Sequence, residues 1–108
     1  MSFNVQSISV FERQAKRLAK KFPSLKKELL ELIGELKEEP EKGTSIGHNC
    51  YKIRLAIASK GKGKSGGARV ITHVVFTEDT VYLLSIYDKS DIENLTDKEI
   101  LELIKLIP

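Results

Sequence analysis

A single cysteine, Cys50, rules out any disulfide within the chain and suits a reducing compartment. Apolar runs are only a few residues long, too short to cross a bilayer. The opening residues, MSFNVQSISVFERQ, lack the charged start and long apolar stretch of a secretory signal. Together these absences lead to the expectation of a cytoplasmic protein with no membrane contact. No repeat and no linker divides the 108 residues, so one domain, 1–108, with one core is expected. The most informative absence is local. Between Lys52 and Arg69 there is no Asp or Glu, while Lys52, Arg54, Lys60, Lys62, Lys64 and Arg69 are all basic. The whole chain has 18 Lys+Arg against 15 Asp+Glu, so the rest of it holds 12 against 15 and is net acidic. A concentrated positive field of this kind points to a polyanion or an acidic protein as partner.

Periodicity gives the order of elements. Residues 3–8 read as a strand, and Ser9 with Glu12 has the spacing of a capping box opening a helix. Phe11, Ala15, Leu18 and Phe22 recur at helical spacing, and Arg13, Lys16, Arg17, Lys20 and Lys21 make the opposite face basic. Pro23 ends that helix and Ser24 is placed to cap the next, whose stripe is Leu25, Leu29, Leu32, Ile33 and Leu36. Pro40 and Gly43 stop the second helix. From Cys50 the period becomes two: Tyr51, Ile53, Leu55 and Ile57 alternate with Lys52 and Arg54. Residues 69–76 and 81–87 read as two further strands joined by a tight turn at Glu78-Asp79. Thr96 with Glu99 is a second capping box, opening a short terminal helix. The expected architecture is α+β, an N-terminal strand and helical hairpin on one face of an antiparallel sheet, closed by a short C-terminal helix.

The chemistry-bearing residues narrow the function. The loop from Ala58 to Ser65, ASKGKGKS, approximates a phosphate-binding loop, but Gly66-Gly67 and a strand follow it where such a loop needs a helix N-terminus. Its bland reading is a solvated hairpin. His48, Cys50 and His73 match no zinc spacing, so no metal is expected. Ser65 lacks the strand–elbow–helix context of a hydrolase nucleophile, and Cys50 reads as a small buried residue. If the strands flanking the loop pair, Lys52, Arg54 and Arg69 gather on one sheet face, which a bound phosphate would relieve of repulsion. Tyr82 and Tyr87 have opposite parity, so one is expected in the core and the other beside the basic groups, placed to stack on an unpaired base. His73 shares parity with Arg69, at the edge of that face.

With these residues in order, the chain resembles the RelE/HigB-type toxins of bacterial type II toxin–antitoxin modules. The likeness runs through the strand and helical hairpin, CYKIRL (50–55), the GKGKSGGARV loop into Arg69, and VYLLSIYDKSD (81–91) followed by NLTDKE. The resemblance implies a small RelE-like fold and an mRNA endoribonuclease, often acting in the ribosomal A site, that needs no metal or other cofactor and is silenced by a cognate antitoxin. In that chemistry the RNA 2′-OH attacks the adjacent phosphate, and the enzyme stabilises developing charge. By position, Lys52 and Arg54 match the family's basic pair, Arg69 its arginine after the loop, and Lys89 the basic residue after the last strand. The resemblance thus implies Lys52, Arg54, Arg69 and Lys89 as catalytic; the loop lysines Lys60, Lys62 and Lys64, with Tyr87 and His73, are expected from their placement to contact RNA. The C-terminal tyrosine of some members has no match, Leu95 falling near its place. The alternatives are a ParE-like toxin that binds DNA gyrase, or a homologue that binds RNA without cutting it.

Overall fold

The computed structural model describes residues 2–61, 66–92 and 94–108. Five strands form one sheet in the order β1-β5-β4-β3-β2, with β1 Asn4–Ser7, β2 Thr44–Ser45, β3 Cys50–Leu55, β4 Ala68–Val75 and β5 Thr80–Asp88. Three α-helices accompany it: α1 Ser9–Lys21, α2 Leu25–Glu38 and α3 Asp97–Ile104. The α+β class and the order of the main elements are as the sequence reading has them. The sheet, however, is mixed. β1 lies parallel to β5, while β2, β3, β4 and β5 pair antiparallel in turn. The short strand β2 carries no alternation that a sequence could reveal, being two exposed residues held by β3.

The two faces of the sheet differ in character. Ile53, Val70 and Ile86 face α1 and α2, joined by Leu25, Leu32, Leu36, Val74 and Val81, all almost fully buried. On the opposite face α3 covers only part of the sheet, through Ile100, its one fully buried residue. The helices are therefore not all on one side of the sheet, and the expectation of a single helical layer is corrected. All nine residues of β5 are buried, because it is central and covered on both faces. Where β1 ends, the open edge of β5 is met by α1: Gln14 Oε1 accepts from Ile86 N–H and from Ser85 Oγ, each at 3.0 Å.

Two local expectations are also corrected, while the tight turn at Glu78-Asp79 and the capping box at Thr96 are found. Ser9 forms no capping box; Ile8 occupies the N-cap position and Glu12 instead accepts from Ser7 Oγ at 2.7 Å. Ser24 does not cap its own helix, since its hydroxyl is engaged by Glu28 and by Ser59 of the 3-10 turn Ala58–Lys60. The β4–β5 connection is a 3-10 turn, Phe76–Glu78, closed by Asp79 in the left-handed region at φ 49°. The capping box at Thr96 is present, with Thr96 Oγ1 and Glu99 Oε1 each holding the other's backbone N–H.

Candidate functional site

Strand pairing assembles three rows of side chains on the face opposite the helical hairpin. They are Cys50–His73–Tyr82, Lys52–Ile71–Ser85 and Arg54–Arg69–Tyr87, each running β3–β4–β5. One feature of β5 is essential to this arrangement. Ile71 faces Ser85 but Thr72 faces Leu83, so Leu84 is an extra residue in the ladder. The bulge switches parity along β5, and Tyr82 and Tyr87 therefore share a face. Simple alternation would put them on opposite faces, and that expectation is corrected.

Arg69 is the centre of the third row. Its side chain is only 4% exposed, and Nη1 donates to Ala68 O at 3.1 Å. A buried guanidinium is held in one place, unlike one on a solvated loop. Arg54, across the ladder, is exposed and lies at the open edge of β3, bordering a hollow lined by Glu28, Glu31 and Glu35 of α2. Lys52, one row away, is half-buried, and its Nζ donates to Asn94 Oδ1 at 2.8 Å. Lys89 follows directly on β5, its N–H donating to Gly67 O at 3.1 Å. It lies in the turn just beyond the strand and is exposed. Lys52, Arg54 and Arg69 thus lie on one sheet face, with Lys89 just past the end of β5.

Tyr87 sits against Arg69 and is 4% exposed. Its hydroxyl is buried with no hydrogen-bond partner, alone in this among the described side chains. Burial raises its pKa; the Arg69 charge opposes this and Glu99 adds to it. The phenol is therefore protonated at neutral pH, a donor without an acceptor. It borders a cavity of about 140 Å³ shared with Lys52, Ile71, Asn94, Asp97 and Ile100. The segment leading into α3 thus roofs the middle of the basic face. A buried polar atom left unsatisfied is uncommon enough to point to a function.

The remaining candidates are dispersed. Lys62 and Lys64 lie outside the described residues. Lys60 turns to the other side of the sheet, where it pairs with buried Asp88, donates to Ser90 Oγ at 3.1 Å, and lies 5.8 Å from the Phe22 ring centroid. Burial pushes the Asp88 carboxyl up, but hydrogen bonds from Lys60 and Ser90 prevail and hold it at about 2. His73 is half-buried in the first row, with Nδ1 3.4 Å from Cys50 Sγ, and the Ile71 row separates it from Arg69. Burial lowers the His73 pKa, against a hydrogen bond with the His48 backbone. Burial also pushes the Cys50 thiol up to about 11, with Asp97 adding to it, so Cys50 and His73 are a neutral pair and not a thiolate–imidazolium. Among the described residues no three His, Cys, Asp or Glu side chains are grouped to hold a metal, and no helix is long and apolar enough to cross a membrane. Sequence reasoning missed Asn94, whose contact with Lys52 spans 42 positions and leaves no local signal.

Comparison with known proteins identifies the fold and the family. The family profile described as "RelE toxin of RelE / RelB toxin-antitoxin system" matches residues 8–107. A mutant of the E. coli toxin RelE, solved in the free state, superposes with a TM-score of 0.65 at 19% identity, over 100% of both chains. The isolated E. coli RelE toxin gives 0.58 at 19% identity, over 98% of this chain and 100% of that one. The RelBE2 toxin–antitoxin complex of Mycobacterium tuberculosis gives 0.57 at 15% identity, over 84% of this chain and 95% of the other. The structural likeness establishes the shared fold, and the match over residues 8–107 places this chain in the RelE toxin family.

Proposed function

We propose that the protein is the toxin of a type II toxin–antitoxin pair and cleaves mRNA as an endoribonuclease, stopping translation in the cytoplasm. The observation that carries this reading is the row Arg54–Arg69–Tyr87, flanked on the same face by Lys52, with Lys89 just past the end of β5. Cations placed on adjacent strands suit a reaction whose difficulty is charge. The RNA 2′-oxygen bonds to the neighbouring phosphorus, the bond from phosphorus to the 5′-oxygen breaks, and a cyclic phosphate and a 5′-OH result. Arg69 and Lys89 would stabilise the phosphorane-like state, and Arg54 would position the backbone. Lys52 would take the 2′-OH proton. Tyr87, protonated and with no acceptor of its own, is suited to hydrogen-bonding the departing 5′-oxygen.

In the present conformation Lys52 is tied to Asn94 and the Tyr87 hydroxyl is enclosed, so RNA reaches them when the segment before α3 shifts. Ribosome association would supply the mRNA in an extended form. The partner that silences the toxin would be a cognate antitoxin, since the similar RelBE2 of Mycobacterium tuberculosis is itself a toxin–antitoxin complex.

The test is mapping of mRNA 5′ ends after induction of the wild type and of Arg69→Lys. That variant keeps the charge and most of the buried volume while losing the planar, multi-donor guanidinium. New ends within coding regions for the wild type, and at least tenfold fewer for Arg69→Lys, support the reading. Intact mRNA with gyrase trapped on DNA would overturn it in favour of gyrase binding.

A further inference from the structure

The basic face of α1 has no role in that cleavage chemistry. Arg13, Lys16, Arg17, Lys20 and Lys21 are all exposed, with Glu12 as the only acid on the helix. At about 100° per residue they fall within an arc of about 140° centred opposite the buried Phe11. Lys21 lies 5.3 Å from the Phe22 ring centroid, while Arg13, Lys16, Arg17 and Lys20 make no ion pair among the described residues. Five like charges on thirteen residues weaken a helix by repulsion, and the single acid Glu12, four residues before Lys16, offsets only part of it.

The position of this face supplies its meaning. α1 runs along the open edge of β5, held there by Gln14. A hollow of about 200 Å³ lies between them, with Arg17 and Leu18 on one wall and Tyr87 and Asp88 on the other. Asp88 is neutralised by Lys60, and of the acids bordering the hollow only Asp91, on its rim, is exposed. Arg17 is therefore where the basic helix meets the row Arg54–Arg69–Tyr87. Positions i and i+4 are about 6 Å apart along a helix axis, so Arg13, Arg17 and Lys21 repeat at a step comparable to that between successive phosphates of a strand.

We infer that the outer face of α1 is a second binding surface for the phosphate backbone of single-stranded RNA, continuous with the sheet cleft through Arg17. It rests on the RNA-cleaving reading, extending that site's footprint. Its cations are on long, exposed side chains and act by charge, raising affinity without touching the scissile phosphate. Arg17 is a positioning residue.

The experiment titrates the full chain with a fluorescent single-stranded oligoribonucleotide of mixed sequence over a range of salt. It compares the wild type, Arg13→Gln/Arg17→Gln/Lys20→Gln and Arg69→Lys, after circular dichroism has shown each to be folded. Glutamine keeps the helix propensity at these exposed positions. The triple variant is expected to bind at least tenfold more weakly. Its slope of log K against log salt should be shallower by about 2, since each phosphate contact on a single strand contributes about 0.7. In cleavage its KM rises and kcat at saturating RNA is unchanged, whereas Arg69→Lys loses kcat and keeps the salt slope. Unchanged affinity and slope in the triple variant would overturn the α1 surface and leave the nuclease reading standing. Weakened binding, with no mRNA cleavage by any form even when ribosomes are added, would uphold the surface and remove the nuclease. No RNA binding by the wild type would overturn both. A parallel titration with poly-L-glutamate completes the test: loss of that binding alone, with RNA binding intact, would overturn the inference in favour of an acidic protein segment.

Discussion

Lys52 Nζ and Asn94 Oδ1 are 2.8 Å apart, which ties a candidate catalytic lysine to the segment that leads into α3. A second tie lies nearby, where His48 Nε2 meets Asp97 Oδ1 at 3.1 Å. Beyond these, α3 is held by the buried Ile100 and by half-buried Leu103 and Ile104, while Leu101 and Leu106 are exposed. α3 is therefore the least anchored element over the basic face, and its release is what would uncover Tyr87.

That release can be biased by one substitution. Ile100→Ala removes a buried side chain, a change that costs about 2–5 kcal/mol where the site cannot collapse. Because the loss falls on α3 and not on the hairpin-side core, amides 97–104 should exchange with solvent at least tenfold faster, while those of β4 and β5 keep most of their protection. Hydrogen exchange read by mass spectrometry checks this. Equal acceleration in the sheet would mean that α3 and the sheet open as one unit.

Lys60 and Asp88 make a buried pair whose two sides are unequal. Asp88 is on a central strand and 3% exposed, whereas Lys60 is on a surface turn and its side chain is 11% exposed. Lys60→Met strands a carboxylate that cannot reach water and should cost on the order of 3 kcal/mol. Asp88→Asn leaves an ammonium that can swing outward, and the loss should be about half as large. Urea unfolding of both variants decides the order.

The same pair sets an acid limit. The Asp88 carboxyl is lowered from 3.8 to about 2 on folding. A group depressed in the folded state gives stability that is complete above its unfolded pKa and lost as pH falls through the folded one. The shift corresponds to about 2 kcal/mol. Stability should therefore decline between about pH 4 and pH 2 in the wild type, and this part of the decline should be absent in Asp88→Asn. A decline of the same size in that variant would assign the acid sensitivity elsewhere.

Two glycines should respond oppositely to alanine. A Cβ on Gly67 would lie 2.1 Å from Leu55 O and 3.1 Å from Ala56 Cα, both backbone atoms that cannot give way without parting β3 from β4. Gly67→Ala should cost about 3 kcal/mol, the upper range for overpacking. Gly34, mid-way along α2, has nothing within 4 Å of its Cβ position. Gly34→Ala should add about 0.5–1 kcal/mol through helix propensity. Thermal melts of the two variants check both signs.

Much of this molecule is legible in the sequence because local patterns dominate it. The stripe Leu25–Leu32–Leu36 and the alternation from Cys50 to Leu55 report which side is buried. Lys52, Arg54 and Arg69 fall on one face because the ladder between β3 and β4 is regular. What the sequence hides is non-local. The extra residue Leu84 shifts β5 parity without any glycine or proline to mark it. The parallel pairing of β1 is a tertiary choice, made by the crossover through α1 and α2. Lys60 reads as one of a run of loop lysines, and only its distant partner Asp88 distinguishes it.

Tyr87 offers the sharpest separation of stability from function. Its ring is packed in the row with Arg69, yet its hydroxyl is buried without a partner, so the oxygen contributes desolvation and no compensating bond. Tyr87→Phe retains the ring and removes that uncompensated atom, and stability should hold or rise by about 1 kcal/mol. If the hydroxyl serves the departing 5′-oxygen, the same variant loses cleavage at least tenfold in kcat with RNA affinity unchanged. A structural role predicts that activity follows stability; a role in the reaction predicts that the two move in opposite directions. Melting temperature and single-turnover cleavage of one ribosome-bound mRNA, measured on the same preparation, distinguish them. Full activity in a stabilised Tyr87→Phe would remove the hydroxyl from the mechanism and leave charge stabilisation to Arg69 and Lys89.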